Sequence, residues 1–134
     1  MSYSNYAQAA NAYKEREVLT ASPARLVVIV YDHVLANLQR ARVAKEAKRP
    51  DIQVEAIGRA RDGIMELLVT LDVERGGEIA KNLQALYSFM LQQLVDGTNV
   101  ETPKLMRIIS MITELRESFA VVAAGPQAVK DSAA

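Results

Sequence analysis

Apolar residues recur every three or four positions along four segments of the chain, which is the spacing of helices with one buried face. The segments span residues 22–48, 51–76, 77–96 and 102–125. A helix of ~20 residues is ~30 Å long, and short connections make neighbouring helices run antiparallel. The pattern therefore predicts an all-α fold, an antiparallel up-down four-helix bundle formed by residues 22–125.

The residues between these segments are those expected at helix ends. Ser22 can accept a hydrogen bond from a free amide of the first turn, and Pro23 suits the first helical position. Thr102 and Pro103 repeat this arrangement at the fourth helix. Asp51 is the expected cap of the second helix. The Gly-Gly pair at 76–77 is predicted to end the second helix, and the third is expected to begin there.

The third helix carries more apolar surface than one bundle core requires. Its predicted core stripe consists of Ile79, Leu83, Leu86, Tyr87, Met90 and Leu94. Phe89, Leu91 and Val95 lie outside that stripe and widen the apolar arc to roughly 240°. Two interpretations remain open: several neighbouring helices shield this helix, or it forms a groove for an apolar helix of another chain.

The same patterns predict core and flanking positions in the other helices. The first helix has apolar flanks beside its stripe, at Leu26, Val28, Ile29 and Leu35. The predicted core stripes of the second and fourth helices are Val54, Ile57, Ala60, Ile64, Leu68 and Leu71, and Leu105, Ile108, Ile112, Leu115, Phe119 and Val122.

The N-terminal segment, residues 1–21, differs in kind from the bundle. Tyr3, Tyr6, Ala10 and Tyr13 would share one face of a short helical or extended segment. Burying three tyrosine rings contributes at most ~15 kcal/mol, whereas ordering ~15 residues costs ~15 to 20 kcal/mol. Because the balance is near zero, the segment is either a displaceable lid over apolar surface or a permanently packed extra helix. Residues 126–134 are small and polar, and we expect a disordered tail.

Charge and composition exclude several classes of function. The 134 residues contain 16 Lys and Arg against 16 Asp and Glu, so no positive charge excess favours nucleic acid or a membrane surface. There is no cysteine and no apolar run of the ~20 residues that span a membrane. We expect a cytoplasmic protein without nucleic-acid or membrane partners.

The sequence offers little catalytic chemistry. His33 is the only histidine, and its neighbour Asp32 points about 100° away from it on a helix, so we expect a surface histidine. Asp72, Glu74 and Glu78 cluster, but the Glu-x-x-His pairs of a bundle metal site are absent, and a solvated helix end is favoured. We expect no enzyme activity, cofactor or metal.

Several stretches, taken in order, resemble one family, the flagellin-specific export chaperones of bacterial flagellar assembly. They are Tyr13 with residues 20–23, Leu26 through Asp32, residues 64–67 with Leu71 and Asp72, and the Gly-Glu-Ile-Ala-Lys-Asn-Leu block at 77–83 with Leu86 and Tyr87. The similarity covers about residues 3 to 123. His33 departs from the glycine usual after Tyr-Asp, and Phe119 from the usual tryptophan.

The resemblance implies a helical bundle that binds the otherwise unfolded C-terminal segment of flagellin in the cytoplasm. Binding would prevent premature polymerisation and keep flagellin competent for type III export, with components of the export apparatus as further partners. Tyr13 matches the N-terminal tyrosine of the family, and Tyr6 extends the tyrosine stripe. The candidate partner-binding residues are Tyr6, Tyr13, Ile79, Asn82, Leu83, Leu86, Tyr87, Phe89, Met90, Leu91 and Leu94.

Two other classes of function compete with this interpretation. A self-associating structural bundle would use its apolar surplus as an oligomer interface, and a core-binding bundle would hold a metal or ligand. The sequence leaves both a monomer and a weak homodimer open.

Overall fold

The structure, a computed structural model, describes residues 22–125. These residues form four α-helices and a 3-10 turn, without a strand, so the predicted helical bundle is confirmed. The helices are α1 (Pro23–Glu46), α2 (Pro50–Val69), α3 (Val73–Gln93) and α4 (Thr102–Ala123), and the 3-10 turn is Gly97–Asn99. The N-terminal segment and the tail, with the expectations placed on them, lie outside the described residues.

Helix α1 begins as its sequence predicts. The Oγ atom of Ser22 accepts a hydrogen bond from the Arg25 amide at 3.2 Å, and Pro23 occupies the first turn. Helix α4 does not repeat this arrangement. Its N-cap is Glu101, which makes no side-chain capping bond, and Thr102 is already helical. The expectation that Thr102 caps α4 is therefore wrong.

The boundary between α2 and α3 lies earlier than predicted. Helix α2 ends at Val69, and Asp72 starts α3 by accepting a hydrogen bond from the Arg75 amide at 3.1 Å. The glycine pair does not end α2. Instead Gly77, with φ 57° and ψ −134°, kinks α3 near its start, a conformation that glycine adopts readily. Helix α2 in turn begins at Pro50, with Arg49 rather than Asp51 at its N-cap.

Helix α1 is the centre of the packing. It packs against α2 and α4, and α3 packs on α2, whereas α3 and α4 approach each other less closely. Gly63 permits the close contact of α1 with α2, because a Cβ atom at this position would lie 2.6 Å from Cγ2 of buried Val34. The close pairs leave an apolar gap on the α3 and α4 side.

The core contains one polar contact at its centre. The side chains of Tyr31 and Tyr87 are buried, and their hydroxyl oxygens lie 2.5 Å apart, joining α1 to α3. Phe119 of α4 meets the Tyr31 ring edge to face, with ring centroids 5.6 Å apart. Three helices thus meet at one aromatic cluster.

The loop between α3 and α4 is hydrogen-bonded to side chains of the first two helices. Gln53 donates from Nε2 to the carbonyls of Gly97 and Thr98, at 3.4 and 3.1 Å. The Nζ atom of Lys45 donates to the Val100 carbonyl at 2.5 Å. These bonds, with buried Leu94 and Val100, fix the point from which α4 starts.

Several predicted core positions are wrong. Ile79 is 73% exposed, and Val54 and Val122 are also exposed, because neighbouring helices do not cover those parts of the apolar arcs. Val28, predicted to flank the core, is fully buried within it.

Candidate protein-binding surface

The candidate binding residues of α3 lie on two faces of the helix, one buried in the core and one directed outward. Leu83, Tyr87, Met90 and Leu94 are buried and belong to the hydrophobic core. A buried side chain is not available to a partner without rearrangement of the bundle. These four residues are therefore core residues. Because they are buried, the structure does not support them as direct contacts of a partner.

A second group of candidates lies on the outer side of α3. Ile79, Asn82, Leu86 and Phe89 follow one another at spacings of three, four and three, which places them on one helix face. Ile79 is 73% exposed and Phe89 37%, Asn82 is exposed, and Leu86 is half-buried. This stripe is apolar apart from Asn82.

The stripe borders the gap between α3 and α4. Leu86 lines a groove of about 250 Å³ together with Met111, Glu114, Leu115 and Ser118 of α4. We call Ile79, Leu86, Phe89, Met111 and Leu115 the α3–α4 face. Its apolar side chains are accessible because the two helices do not close on each other.

Leu91 lies on the other flank of α3. It is half-buried and packs against the core, whereas Val95 further along is exposed. The sequence places Leu91 outside the core stripe together with Phe89, but the structure separates the two residues. A charge at Leu91 would disturb core packing and is not a clean probe of binding.

A second apolar groove lies where α1 starts. Leu26, Val27 and Ile29 of α1 and Leu67 of α2 line a cavity of about 440 Å³, whose mouth includes Pro23. It adjoins a groove of about 530 Å³ that shares Ile29 and contains more polar side chains. The chain enters α1 beside this apolar groove. Tyr6 and Tyr13 belong to the segment that precedes it, outside the described residues.

His33 lies at the polar groove and is exposed, as expected. Its Nε2 atom is 3.4 Å from the side-chain Nδ2 atom of Asn37. The same Nδ2 atom donates a hydrogen bond to the backbone carbonyl of His33 at 3.0 Å. A Cβ atom on Gly63 would lie 3.4 Å from the imidazole Cδ2. Because Gly63 on α2 has no side chain, it leaves space for the imidazole of His33 on α1.

An ion pair ties α1 to α4 beside this groove. Arg116 donates from Nε and Nη2 to the Asp32 carboxylate, at 2.8 and 3.4 Å. The hydrogen bond to Asp32 and its charge raise the pKa of Arg116 above its ordinary value. Asp32 therefore serves a structural contact and does not face His33 as a catalytic partner.

The remaining acidic side chains of the described region lie exposed at helix ends or along helix surfaces. Within residues 22–125, no three His, Asp or Glu side chains are placed to hold a metal ion. Asp72, Glu74 and Glu78 are exposed at the start of α3, as predicted for a solvated helix end. No helix of the described region combines the length and apolarity needed to cross a bilayer.

Sequence reasoning missed the α4 half of the α3–α4 face. Met111, Glu114 and Ser118 were not candidates, and Leu115 was assigned to the core although it is only half-buried. The spacing of Met111, Leu115 and Val122 on one side of α4 is the signal that could have identified it.

Comparison with known proteins agrees with the resemblance seen in the sequence. The family described as "Flagellar protein FliS" matches residues 6–126. The chain is 34% identical over 106 residues to the flagellar secretion chaperone FliSB of Pseudomonas aeruginosa, covering 78% of this chain and 84% of the relative. It is 31% identical to FliS of Campylobacter jejuni (81% and 86% covered) and 29% identical to FliS of Vibrio cholerae (81% and 83% covered). Since the match extends over nearly all of the chain, the protein belongs to the FliS family of flagellar secretion chaperones.

Proposed function

We propose that this chaperone binds the C-terminal segment of flagellin, prevents its premature polymerisation and keeps it competent for type III export. The α3–α4 face is the proposed binding surface. The observation that carries this proposal is the exposed apolar stripe of α3, which adjoins an open groove rather than a packed helix. Membership of a family of flagellar secretion chaperones supports a flagellar protein as the client.

The physical demands of such a client fit this surface. A segment that folds on binding loses about 1 to 2 kcal/mol of backbone entropy per ordered residue, so it needs a long apolar surface in return. Ile79 and Phe89 lie ten residues apart on α3, a distance of ~15 Å along a helix axis. An amphipathic helix of three turns could follow this stripe with apolar side chains in the α3–α4 groove.

We propose further that residues 1–21 act as a displaceable lid. Pro23 lines the apolar groove together with Leu26, Val27 and Leu67, and it follows this segment almost directly in sequence, which supports the groove as the surface that the lid would cover. Tyr6 and Tyr13 would supply the rings that cover apolar surface when the client is absent. The near-zero balance of ring burial against chain ordering allows the segment to leave when the client binds.

The proposed setting is the cytoplasm, where the chaperone would hold flagellin before transfer to components of the export apparatus. The chaperone acts by binding and has no catalytic step. A self-associating bundle would use the same α3–α4 face as its interface, so the oligomeric state with and without client distinguishes the two functions.

Polymerisation of flagellin tests the proposal directly. Purified cognate flagellin is seeded and followed by light scattering, with the chaperone added in increasing molar ratio. We expect suppression that is complete near stoichiometric addition, and sedimentation of a defined complex. Unchanged polymerisation in the presence of folded chaperone would overturn the proposal. An interface between chaperone copies that persists at saturating flagellin would favour the self-associating bundle.

A further inference from the structure

Three arginines surround an open groove between α1 and α2. Arg40 and Arg42 of α1 and Arg49 at the start of α2 line this groove, together with apolar side chains that include Val43 and Ile52. Its volume is about 530 Å³, and we call it the arginine groove. None of the described residues that line it is acidic or aromatic. The side chains of Arg40, Arg42 and Arg49 are 45%, 32% and 57% exposed, so a molecule in solution can reach each of them.

Positive charge is concentrated around the arginine groove. Residues 36–52 contain five Lys and Arg against two Asp and Glu, whereas the whole chain contains 16 of each kind. One of the five, Lys45, donates its Nζ atom to the Val100 carbonyl and stabilises the loop before α4. The charge excess is local to this end of the bundle, and it attracts negatively charged partners to this surface.

Helix dipoles do not account for the three arginines. A cation is favourable in the last turn of a helix and unfavourable at its start. Lys45 is the basic residue in the last turn of α1, whereas Arg40 and Arg42 precede that turn. Arg49 is the N-cap of α2, where the dipole disfavours a cation. The arginines therefore occupy these positions without a gain from the helix ends, which points to a role at the surface.

The ion pairs that these arginines form are open to exchange. Each arginine meets one exposed carboxylate: Arg40 meets Glu55 at 3.6 Å, Arg42 meets Glu46 at 3.3 Å and Arg49 meets Asp51 at 3.2 Å. Exposed ion pairs contribute little to stability, because water competes for both charges. A guanidinium group also has five N–H donors, more than one carboxylate can use. Each arginine can therefore accept a carboxylate from another molecule.

We propose that the arginine groove binds an acidic amphipathic helix of a protein partner other than flagellin. Val43 is 55% exposed and forms an apolar floor with Ala47 and Ile52. Apolar side chains of the partner helix lie on this floor. Carboxylates on the two flanks of the same helix pair with Arg42 and Arg49, because the planar guanidinium fork matches both oxygens of a carboxylate.

The dimensions of the groove fit a short helix. Its lining residues on α1 extend from Ala36 to Ala47, about 16 Å along the helix axis, which is the length of three helical turns. Nucleic acid would add base stacking to charge, and no aromatic side chain of the described region lines the groove to provide it. A bilayer presents a wide surface, whereas these cations surround a narrow depression. Apolar floor and flanking cations together favour a protein helix.

The arginine groove is separate from the proposed client surface. Its lining residues belong to α1 and α2, and it shares none of them with the α3–α4 face. Flagellin and the acidic partner therefore bind the chaperone at the same time. The proposal does not depend on the identity of the client.

A designed helical peptide of about 14 residues serves as the probe for the full chain. It has Leu at spacings of three and four and Glu on both flanks of that stripe, and its analogue has Gln in place of every Glu. Arg42→Gln combined with Arg49→Gln removes both flanking charges, and Val43→Glu places a carboxylate on the floor. Arg75→Gln is the matched control, because this exposed arginine pairs with Asp72 at the start of α3. Fluorescence anisotropy measures binding, and circular dichroism confirms that each variant is folded.

We expect wild type and Arg75→Gln to bind the Glu peptide with a Kd of about 10 to 100 μM at low salt. Both groove variants should bind it at least about tenfold more weakly, and the Gln analogue should bind wild type at least about tenfold more weakly. A saturating amount of the flagellin C-terminal peptide should change the affinity for the Glu peptide less than about twofold.

Equal affinity for the Glu and Gln peptides, or unchanged binding by both groove variants, would overturn the proposal. Two other results would assign the groove to a different occupant and overturn it as well. One is sedimentation of the chaperone with phosphatidylglycerol vesicles, lost in the arginine variant, when the Glu peptide does not bind. The other is self-association that the arginine variant abolishes. Displacement of the Glu peptide by flagellin peptide would contradict a separate partner site. Failure of flagellin peptide to bind, with the Glu peptide still bound, would refute the proposed function alone.

Discussion

The hydroxyl oxygens of Tyr31 and Tyr87 lie 2.5 Å apart inside the bundle and join α1 to α3, two helices that are not consecutive in sequence and do not pack closely along their backbones. One hydroxyl donates to the other, so removing either leaves the second buried without its partner. We expect Tyr31→Phe or Tyr87→Phe to cost about 1 to 3 kcal/mol in the free energy of unfolding. The double variant should be closer to wild type than either single one. Denaturant unfolding of all four proteins gives the coupling, and strictly additive losses would contradict it.

The same pair makes stability depend on alkaline pH. Burial raises the pKa of both Tyr31 and Tyr87; the shared hydrogen bond raises that of Tyr31 further and partly offsets the rise for Tyr87. Above the unfolded pKa of about 10, the unfolded chain releases protons that the folded protein retains. Stability is therefore full below pH ~10 and falls as pH rises beyond it. Urea unfolding between pH 8 and 11 should show this slope in wild type. A Tyr31→Phe, Tyr87→Phe double variant that retained the full slope would refute the assignment.

Two glycines of α2 should respond oppositely to the same substitution. Gly58→Ala meets open space and should raise the free energy of unfolding by about 0.5 to 1 kcal/mol through helix propensity. Gly63→Ala forces a Cβ atom against the Val34 methyl group. It should lower the free energy of unfolding by about 1 to 3 kcal/mol, even though alanine has the higher helix propensity. Thermal melts of the two variants provide the comparison. A stabilised Gly63→Ala protein would show that α1 and α2 are not held so close.

Deleting residues 1–16 tests the proposed lid. The bundle of residues 22–125 contains its own core, so we expect the truncated protein to remain helical and cooperative. Client association should become faster or tighter because no segment must first leave. Circular dichroism and stopped-flow binding measure the two effects. Loss of helicity throughout the protein would instead assign the segment a permanent structural role.

The helices could be predicted from the chain because apolar spacing and the Ser22 cap are local signals. The end of α2 could not be predicted in this way, because the apolar spacing continues across residues 69 to 73 without interruption. Only the capping geometry of Asp72 marks the new helix start.

The candidate surface was predicted less well, for a physical reason. Periodicity identifies a wide apolar arc but does not say which part of it a neighbour covers. Ile79 lies within the predicted core stripe of α3 yet is exposed, because coverage depends on how closely α3 and α4 approach. How closely two helices approach is a property of the whole packed bundle, and the spacing of apolar residues within one helix does not report it.

Calorimetric titration of the cognate flagellin C-terminal peptide into wild type, Ile79→Lys and Phe89→Asp tests the central claim most directly, with Gln84→Lys as the exposed control on the opposite side of α3. We expect wild type and Gln84→Lys to bind with a large negative heat-capacity change, the mark of apolar burial. Ile79→Lys and Phe89→Asp should weaken binding at least about tenfold, since each places a charge in the apolar contact. The melting temperature should change little for Ile79→Lys, because that side chain is 73% exposed, and should fall moderately for Phe89→Asp, because that side chain is only 37% exposed. Equal affinity of all four folded proteins would contradict a client site on the α3–α4 face.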